Sequence, residues 1–230
     1  MTGKLSIVST PIGNLGDMTY RGVEVLGTVD AILSEDTRTT LKLLKHYKVP
    51  HKPLFSFFEG NENEKQSQAI QMLVDGAHLA LVSESGTPLI SDPGFKLVRE
   101  AIKNGVTVES IPGATALVAA LTTSGLPTNA FLFLGFLPKK ESHAKDLLLK
   151  TRGSIQKIDQ LKTIIMYESP HRLVQTLQSI EEVFGDIEIV VARELTKLYE
   201  EVRREKVSAA ITHFTEKTPK GEFTVLWKND

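Results

Sequence analysis

The sequence predicts an α/β protein of two domains, residues 1–126 and 127–230, with a cleft between them. In the first half, short apolar runs alternate five times with amphipathic stretches at helical spacing, which predicts a mostly parallel five-stranded sheet with helices on both faces. In the second half the apolar runs are less regularly spaced, which favours a mixed sheet. The chain has 230 residues, 41% of them apolar, which is enough for two cores of ordinary size.

Composition excludes several classes of protein. The net charge of −1 argues against a non-specific nucleic-acid coat, and the lack of cysteine excludes disulfides, thiolate metal sites and a cysteine nucleophile. Six histidines are scattered without metal-ligand spacing, so no metal is expected. No apolar stretch is long enough for a membrane span, and no signal peptide is recognisable. A soluble cytoplasmic protein is therefore the expectation.

The first domain takes its elements from five apolar runs, each followed by a periodic segment. Turn formers bound the runs, and Asp17 or Thr19 can cap the first helix. Strands are predicted at 4–9, 31–34, 52–57, 78–83 and 106–111. Helices are predicted at 19–28, 39–47, 61–75, 95–103 and 114–123. The third helix is expected to bury Ala69, Ile70, Met72, Leu73 and Val74.

Four of the strand-to-helix loops are polar or rich in Gly and Pro, namely 10–17, 35–38, 83–94 and 112–115. Right-handed crossovers bring all four to one sheet edge, where open α/β sheets bind ligands. Loop 83–94 is long for such a connection, so it is either an unusual structural turn or a shaped binding surface. Loop 10–17 matches neither a Walker A motif nor Gly-x-Gly-x-x-Gly. Arg38 is unfavourable in a first helical turn, which suggests that it binds something.

The second domain opens with the apolar run 131–137, which is either a strand or a segment packed between domains. Further strands are predicted at 163–167, 187–192, 200–204 (an edge strand) and 222–227, and helices at 173–184 and 207–214. Between them, 138–162 is the densest positive stretch of the chain. It is either a solvated helical face or a surface that contacts phosphates. No Gly-x-Ser-x-Gly elbow occurs, which disfavours hydrolase chemistry, and the loops suit a polar or nucleoside-bearing ligand held by main chain.

The motifs TPIGNLGD, EDTR, SGTPLISDPG, IPG, FLFLGFLP, YESPHR, ARELTKLYEE and GEF follow one another along nearly the whole chain. Together they resemble the small-subunit ribosomal RNA methyltransferase I family, within the tetrapyrrole (corrin/porphyrin) methylase superfamily. The resemblance implies 2′-O-methylation of a 16S rRNA cytidine in the decoding region, S-adenosylmethionine as methyl donor, a homodimer and a cofactor cleft between the domains. Partners would be 16S rRNA and the small ribosomal subunit.

The resemblance also assigns residues to roles. The implied cofactor contacts are Pro11, Gly13, Ser85, Gly86, Thr87, Asp92, Pro112, Gly113, Thr115, Met166, Tyr167 and Ala192. The implied substrate contacts are Glu35, Asp36, Arg38, His171, Arg172 and Lys197. The catalytic candidates are Glu84, Arg38, Glu168 and Arg193.

A ribose hydroxyl needs a base, or a cation that favours its alkoxide, before it can attack a methyl group. The base stays open among Glu35, Asp36, Glu84, Asp92, Glu168 and Glu194. Two structural alternatives are a helix start at Glu168 and an ion pair between Arg193 and Glu194. The chain has Glu84-Ser85 where the family usually has Asp-Ala, which leaves the role of Glu84 open. Alternative functions are methylation of a small tetrapyrrole and ribosome binding without catalysis.

Overall fold

The computed structural model describes residues 2–228 and divides into two compact units, up to Thr115 and from Ala116. The division falls before the fifth helix, whereas the predicted boundary at 126/127 falls after it. That helix is counted with the second unit because it packs on strands of the second sheet. The predicted domain boundary stays a prediction.

The first unit is built on a five-stranded sheet in which every pair is parallel. Its strands are β1 (Lys4–Val8), β2 (Ala31–Ser34), β3 (Leu54–Ser56), β4 (His78–Val82) and β5 (Thr107–Ile111). Their order across the sheet is β3-β2-β4-β1-β5. The predicted parallel sheet is therefore confirmed, with each strand within about two residues of its predicted ends.

Helices cover both faces of this sheet. They are α1 (Tyr20–Thr28), α2 (Thr37–His46), α3 (Glu62–Val74) and α4 (Phe95–Lys103). Leu26 of α1 and Leu44 of α2 belong to one apolar cluster, and Leu73 of α3 and Leu97 of α4 belong to another. Successive strand residues alternate between the two clusters, because side chains point to opposite faces of a strand. The prediction that Val74 is buried is wrong, since it lies 39% exposed at the end of α3.

The strand order fixes where this unit can bind a ligand. The connection that leaves β2 leads outward to β3, and the one that leaves β4 leads the opposite way, past β1 to β5. Neighbouring strands whose connections diverge open a crevice at their carboxyl ends. The residues that follow β2 and β4 therefore flank the crevice of this sheet.

The second unit contains a mixed sheet, as predicted. Its strands are β6 (Phe131–Phe136), β7 (Thr163–Glu168), β8 (Glu188–Arg193), β9 (Glu201–Lys206) and β10 (Phe223–Lys228). The order is β6-β7-β10-β8-β9, with only the β6–β7 pair parallel. The apolar run 131–137 is thus a strand, and β9 is an edge strand as predicted.

The helices of the second unit are α5 (Ala116–Ser124), α6 (Glu141–Ile155), α7 (Leu173–Phe184) and α8 (Val207–Glu216). Leu148 of α6, Leu177 of α7 and Ala210 of α8 share one core with Trp227 of β10. Helix α5 packs on the sheet too, against β7, β8, β9 and β10. In residues 2–228 no helix has both the length and the apolarity to cross a membrane.

Candidate active site

Three loops are joined by hydrogen bonds at the carboxyl ends of the adjacent strands β4, β1 and β5. The Thr10 N–H donates to the Gly86 carbonyl at 2.8 Å, and the hydroxyls of Ser9 and Thr87 lie 2.9 Å apart. The Thr87 hydroxyl also donates to the Ala114 carbonyl at 3.0 Å. These bonds run between the loops rather than within them, so they hold the three loops as one surface.

The backbone of loop 83–94 has an unusual shape that its neighbours maintain. Gly86 and Gly94 have φ values of 77° and 123°, and the non-glycine residues Leu89 and Ser91 also have positive φ, at 72° and 69°. Each non-glycine residue in that region costs of the order of 1 kcal/mol, so the surroundings must hold it there. A side chain at Gly86 would also place its Cβ 3.2 Å from Ile12. The loop is thus an ordered, shaped backbone, which favours a binding surface over a merely long turn.

Glu62 closes the far end of this loop and was not among the predicted site residues. It is only 8% exposed at the start of α3, and its carboxylate accepts a 3.1 Å hydrogen bond from the Gly94 N–H. The Lys96 ammonium lies 3.5 Å from its other oxygen. An acid in the first turn of a helix that begins at this sheet edge is the sequence signal that could have identified it.

Three carboxylates gather at the crevice between β2 and β4. The Glu84 N–H donates to a carboxylate oxygen of Glu35 at 3.2 Å, which joins the residues that follow the two strands. Burial raises the pKa of Asp92 from 3.8 to about 6, the charges of Glu35 and Glu84 add to the rise, and the Ser83 hydroxyl opposes it. Asp92 therefore holds a proton in an ordinary cellular pH range far more readily than a free aspartate does.

Asp36 and Arg38 form a closed local pair beside this crevice. The Asp36 carboxylate caps α2 by accepting from the Arg38 and Thr39 N–H groups, and it also binds the Arg38 guanidinium at 2.9 Å and 3.2 Å. These bonds, led by the one from the Arg38 side chain, lower the pKa of Asp36 to about 2. Arg38 thus binds something, as its position in the first turn suggested, and the partner in this structure is Asp36. Its side chain is still 87% exposed.

In the second unit, Glu168 is a fully buried carboxylate whose partners are all internal. It accepts from the Ser169 N–H at 2.7 Å, from the Thr176 hydroxyl at 2.6 Å and from the Arg172 guanidinium at 3.2 Å. Arg172 also donates to the Leu137 carbonyl at 2.9 Å. This geometry matches the structural alternative, a helix start, because the carboxylate joins the end of β7 to α7.

The residues after β8 are also paired with one another. Arg193 donates to the Lys220 carbonyl at 2.7 Å and lies 3.5 Å from Glu201, so the suggested pair of Arg193 with Glu194 is replaced by these contacts. The Glu194 carboxylate instead binds the Lys197 ammonium at 2.9 Å. Burial pushes the pKa of Glu194 up, but the bonds from Lys197 and from the backbone at Glu222 outweigh it and lower the pKa.

The three predicted cofactor contacts of the second unit differ in what they expose. Tyr167, Thr224 and Ala192 lie side by side across β7, β10 and β8, and the Tyr167 hydroxyl accepts from the Leu117 N–H at 3.1 Å. Met166 belongs to the core cluster and is fully buried, and Ala192 is only 1% exposed. His171 is exposed at the turn before α7.

The remaining predicted residues lie in the loops after β1 and β5. Pro11 is buried and Gly13 exposed, and both lie in the loop after β1. Gly113 approaches Ser9 so closely that an added Cβ would lie 2.9 Å from the serine Cβ, which restricts the position to glycine. Pro112 and Thr115 flank it. Among residues 2–228 no group of three or more His, Cys, Asp or Glu side chains could hold a metal ion.

Comparison with known proteins places the chain in a family. Residues 4–211 match the profile of the tetrapyrrole (corrin/porphyrin) methylases. A Thermotoga maritima protein named ribosomal RNA small subunit methyltransferase I is 46% identical over 97% of both chains. A Synechocystis protein of the same name is 46% identical over 97% of this chain and 78% of its own.

Solved structures of distant sequence share the fold. Diphthine synthase has a TM-score of 0.72 at 13% identity, over 98% of this chain and 90% of its own. A Thermus thermophilus uroporphyrin-III C-methyltransferase, solved with S-adenosylhomocysteine, has a TM-score of 0.65 at 16% identity, over 97% of both chains. The chain therefore belongs to the tetrapyrrole methylase family and, within it, to the group that contains ribosomal RNA small subunit methyltransferase I.

Proposed function

We propose that this chain methylates 16S ribosomal RNA at the 2′-oxygen of a cytidine ribose in the decoding region of the small subunit, with S-adenosylmethionine as methyl donor. The observation that carries the proposal is the 46% identity, over nearly the full length, with relatives named for ribosomal RNA methylation. The fold supports the choice of donor, because a solved relative of the same fold is complexed with S-adenosylhomocysteine.

The linked loops after β1, β4 and β5 fit such a donor. They present backbone N–H and carbonyl groups at an ordered surface, with Gly86 and Gly113 at positions where a side chain would meet Ile12 or Ser9. We assign the cofactor contacts of the first unit to these loops. When bound, S-adenosylmethionine supplies an activated methyl group, so the task of the protein is to align the groups that react.

We assign the role of general base to Asp92. Three other candidates are occupied: Asp36 by the helix cap and Arg38, Glu168 by its buried partners, and Glu194 by Lys197. A base works best when its pKa lies near the working pH, and the pKa of Asp92, raised to about 6, meets that condition. The carboxylate would take the proton of the ribose 2′-hydroxyl as this oxygen bonds to the methyl carbon, and the methyl–sulfur bond would break with S-adenosylhomocysteine as the leaving group.

One experiment separates this function from its alternatives. Tritiated S-adenosylmethionine is incubated with small subunits that lack the modification, with naked 16S RNA and with a precorrin. We expect label on subunits or RNA, recovered after nuclease digestion as 2′-O-methylcytidine. Label on the precorrin alone would show a tetrapyrrole methyltransferase, and RNA binding without label would show a binding factor. Light scattering of the free protein tests the homodimer, which we also propose.

A further inference from the structure

We propose that the exposed face of α2 is the surface that holds the phosphate backbone of the RNA substrate. The surface is a row of four cations, Arg38, Lys42, Lys45 and Lys48, which we call the α2 row. The proposal rests on the proposed function, since it names where the same substrate is held. It differs from one of the two alternatives left open for the basic stretch 138–162, that of a surface that contacts phosphates.

The α2 row lies in a part of the chain without negative side chains. Residues 37–58 contain five Lys or Arg and two His but no Asp or Glu, although the whole chain has a net charge of −1. Ordinary protein surfaces mix the two signs of charge. A one-sign segment on a nearly neutral protein is the pattern expected of a local site for a polyanion.

Helical geometry aligns these cations. Positions 38, 42 and 45 are spaced by four and three residues, which places them on one face of an α-helix, and Lys48 continues beyond its end. All four are exposed, while Thr40 and Leu44 are buried on the opposite face. At 1.5 Å per residue the row extends over about 15 Å, enough to meet several successive phosphates of one strand.

The lysines of the row have no carboxylate partners. Within residues 2–228, no ion pair or side-chain hydrogen bond involves Lys42, Lys45 or Lys48, and only Arg38 is paired, with Asp36. Phosphates would therefore not have to displace an internal partner from these lysines. Favourable placement of a cation near a helix C-terminus explains Lys45, but it does not explain Lys42 in the middle of the helix.

The basic stretch 138–162 is different, because much of its charge is already neutralised. Lys145 lies 2.9 Å from Glu141 and 2.7 Å from Glu182, and Lys150 lies 2.6 Å from Asp146. Arg152 donates to the Val183 carbonyl at 2.7 Å. Its other lysines, at 139, 140, 157 and 162, flank α6 at its two ends and form no continuous row. This stretch fits the alternative of a solvated helical face.

The position of the α2 row relative to the crevice completes the argument. Helix α2 begins two residues after Glu35, which contacts Glu84 at the crevice that contains Asp92. Arg38 therefore lies at the crevice end of the row, and Lys42, Lys45 and Lys48 lead away from it. An RNA strand held along the row would have one nucleotide at the crevice and its neighbours on the lysines.

The test compares two variants with the same loss of charge. K42Q/K45Q/K48Q neutralises the row, and K139Q/K140Q/K157Q neutralises three exposed lysines of the second unit. Glutamine is a good helix former, so both should keep the wild-type melting temperature. Binding to unmodified small subunits is measured by filter retention from 50 to 300 mM salt, together with kcat and KM for methyl transfer and with binding to anionic vesicles.

We expect the row variant to bind subunits 10- to 100-fold more weakly near 150 mM salt. Its slope of log affinity against log salt should fall by about 2 to 3, because each lost phosphate contact removes roughly 0.7 to 0.9. KM for the subunit should rise much more than kcat falls, and the second variant should bind like the wild type.

Three results would overturn the proposal. Equal binding by both variants would show that the row does not touch RNA. Weakened binding only in K139Q/K140Q/K157Q would move the surface to the ends of α6. Loss of vesicle binding with unchanged RNA binding would make the row a membrane contact. If the wild-type protein transfers no methyl group to RNA, the proposed function is wrong. In that case a lower salt slope for the row variant would still support the α2 row as an RNA-binding surface.

Discussion

Replacement of Asp92 by Asn tests both the electrostatics of the crevice and the proposed chemistry. Burial, together with the charges of Glu35 and Glu84, raises the pKa of Asp92 from 3.8 to about 6. An acid whose pKa is higher in the folded than in the unfolded protein contributes its full stabilisation when the pH is below the pKa of the unfolded state. This stabilisation is lost as the pH rises to the pKa of the folded state. Wild-type stability should therefore decline between about pH 4 and pH 6 because of this residue.

The size of this effect follows from the shift. Two pKa units correspond to about 3 kcal/mol, and solvent screening of a partly exposed group reduces this to about 1 to 2 kcal/mol. Asn has nearly the same shape but no charge, so D92N should be more stable than the wild type by about 1 to 2 kcal/mol at pH 8. The two proteins should converge near pH 4.

Urea unfolding from pH 4 to pH 8 measures the difference in free energy of unfolding between D92N and the wild type. A variant that is no more stable than the wild type at pH 8 would refute the electrostatic reasoning. In the same preparation, loss of a general base should lower kcat by about 100- to 10,000-fold and leave the dissociation constant of S-adenosylmethionine within a few-fold of the wild type. Loss of cofactor binding in calorimetry would instead make Asp92 a cofactor contact.

Three further substitutions probe the supports of the site. E62Q removes the charge that binds the Gly94 N–H. We therefore expect the free energy of unfolding in urea to fall by about 1 to 2 kcal/mol and cofactor binding in calorimetry to weaken. Unchanged values for both would contradict the anchoring role of Glu62. E168A leaves a guanidinium and a hydroxyl without their buried partner, so the free energy of unfolding should fall by about 3 to 5 kcal/mol in the same assay. The more exposed E194A should lower it by only about 1 kcal/mol. R38A breaks an exposed pair, so stability in urea should stay close to the wild-type value. The cofactor affinity should hold while KM for the subunit rises, and lost cofactor affinity would exclude an RNA-side role.

The fold could be predicted from the sequence because local periodicity carries most of it. Apolar runs bounded by turn formers identified the five strands of the first unit, and Thr19 was one of the two predicted caps of α1, where it accepts from the Gly22 N–H. The strand order β3-β2-β4-β1-β5 could not be predicted this way, because periodicity says which residues form a strand and not which strand lies beside it. The crevice between β2 and β4 therefore became visible only in the structure.

The hydrogen-bond partners of the site residues were harder to predict from the sequence than the fold. Glu62 and Gly94 are 32 positions apart, and nothing local in either segment indicates their hydrogen bond. The pairing of Asp36 with Arg38 spans two residues and could have been found from the capping pattern. The core position of Met166 follows from its alternation with Tyr167, but choosing which of the two faces is buried requires the helices that cover the sheet.

Glu84 shows how the structure narrows a question that the sequence leaves open. Its backbone N–H, rather than its side chain, binds Glu35 and joins the loops after β2 and β4. Within residues 2–228 its carboxylate has no hydrogen-bond or ion-pair partner, and it acts on Asp92 and Arg38 through its charge. Charge interactions weaken only gradually with distance, whereas a hydrogen bond is lost within about 1 Å. A longer acid than the family's usual Asp is therefore compatible with an unchanged loop, because the bond to Glu35 is made by the backbone N–H, which either residue provides.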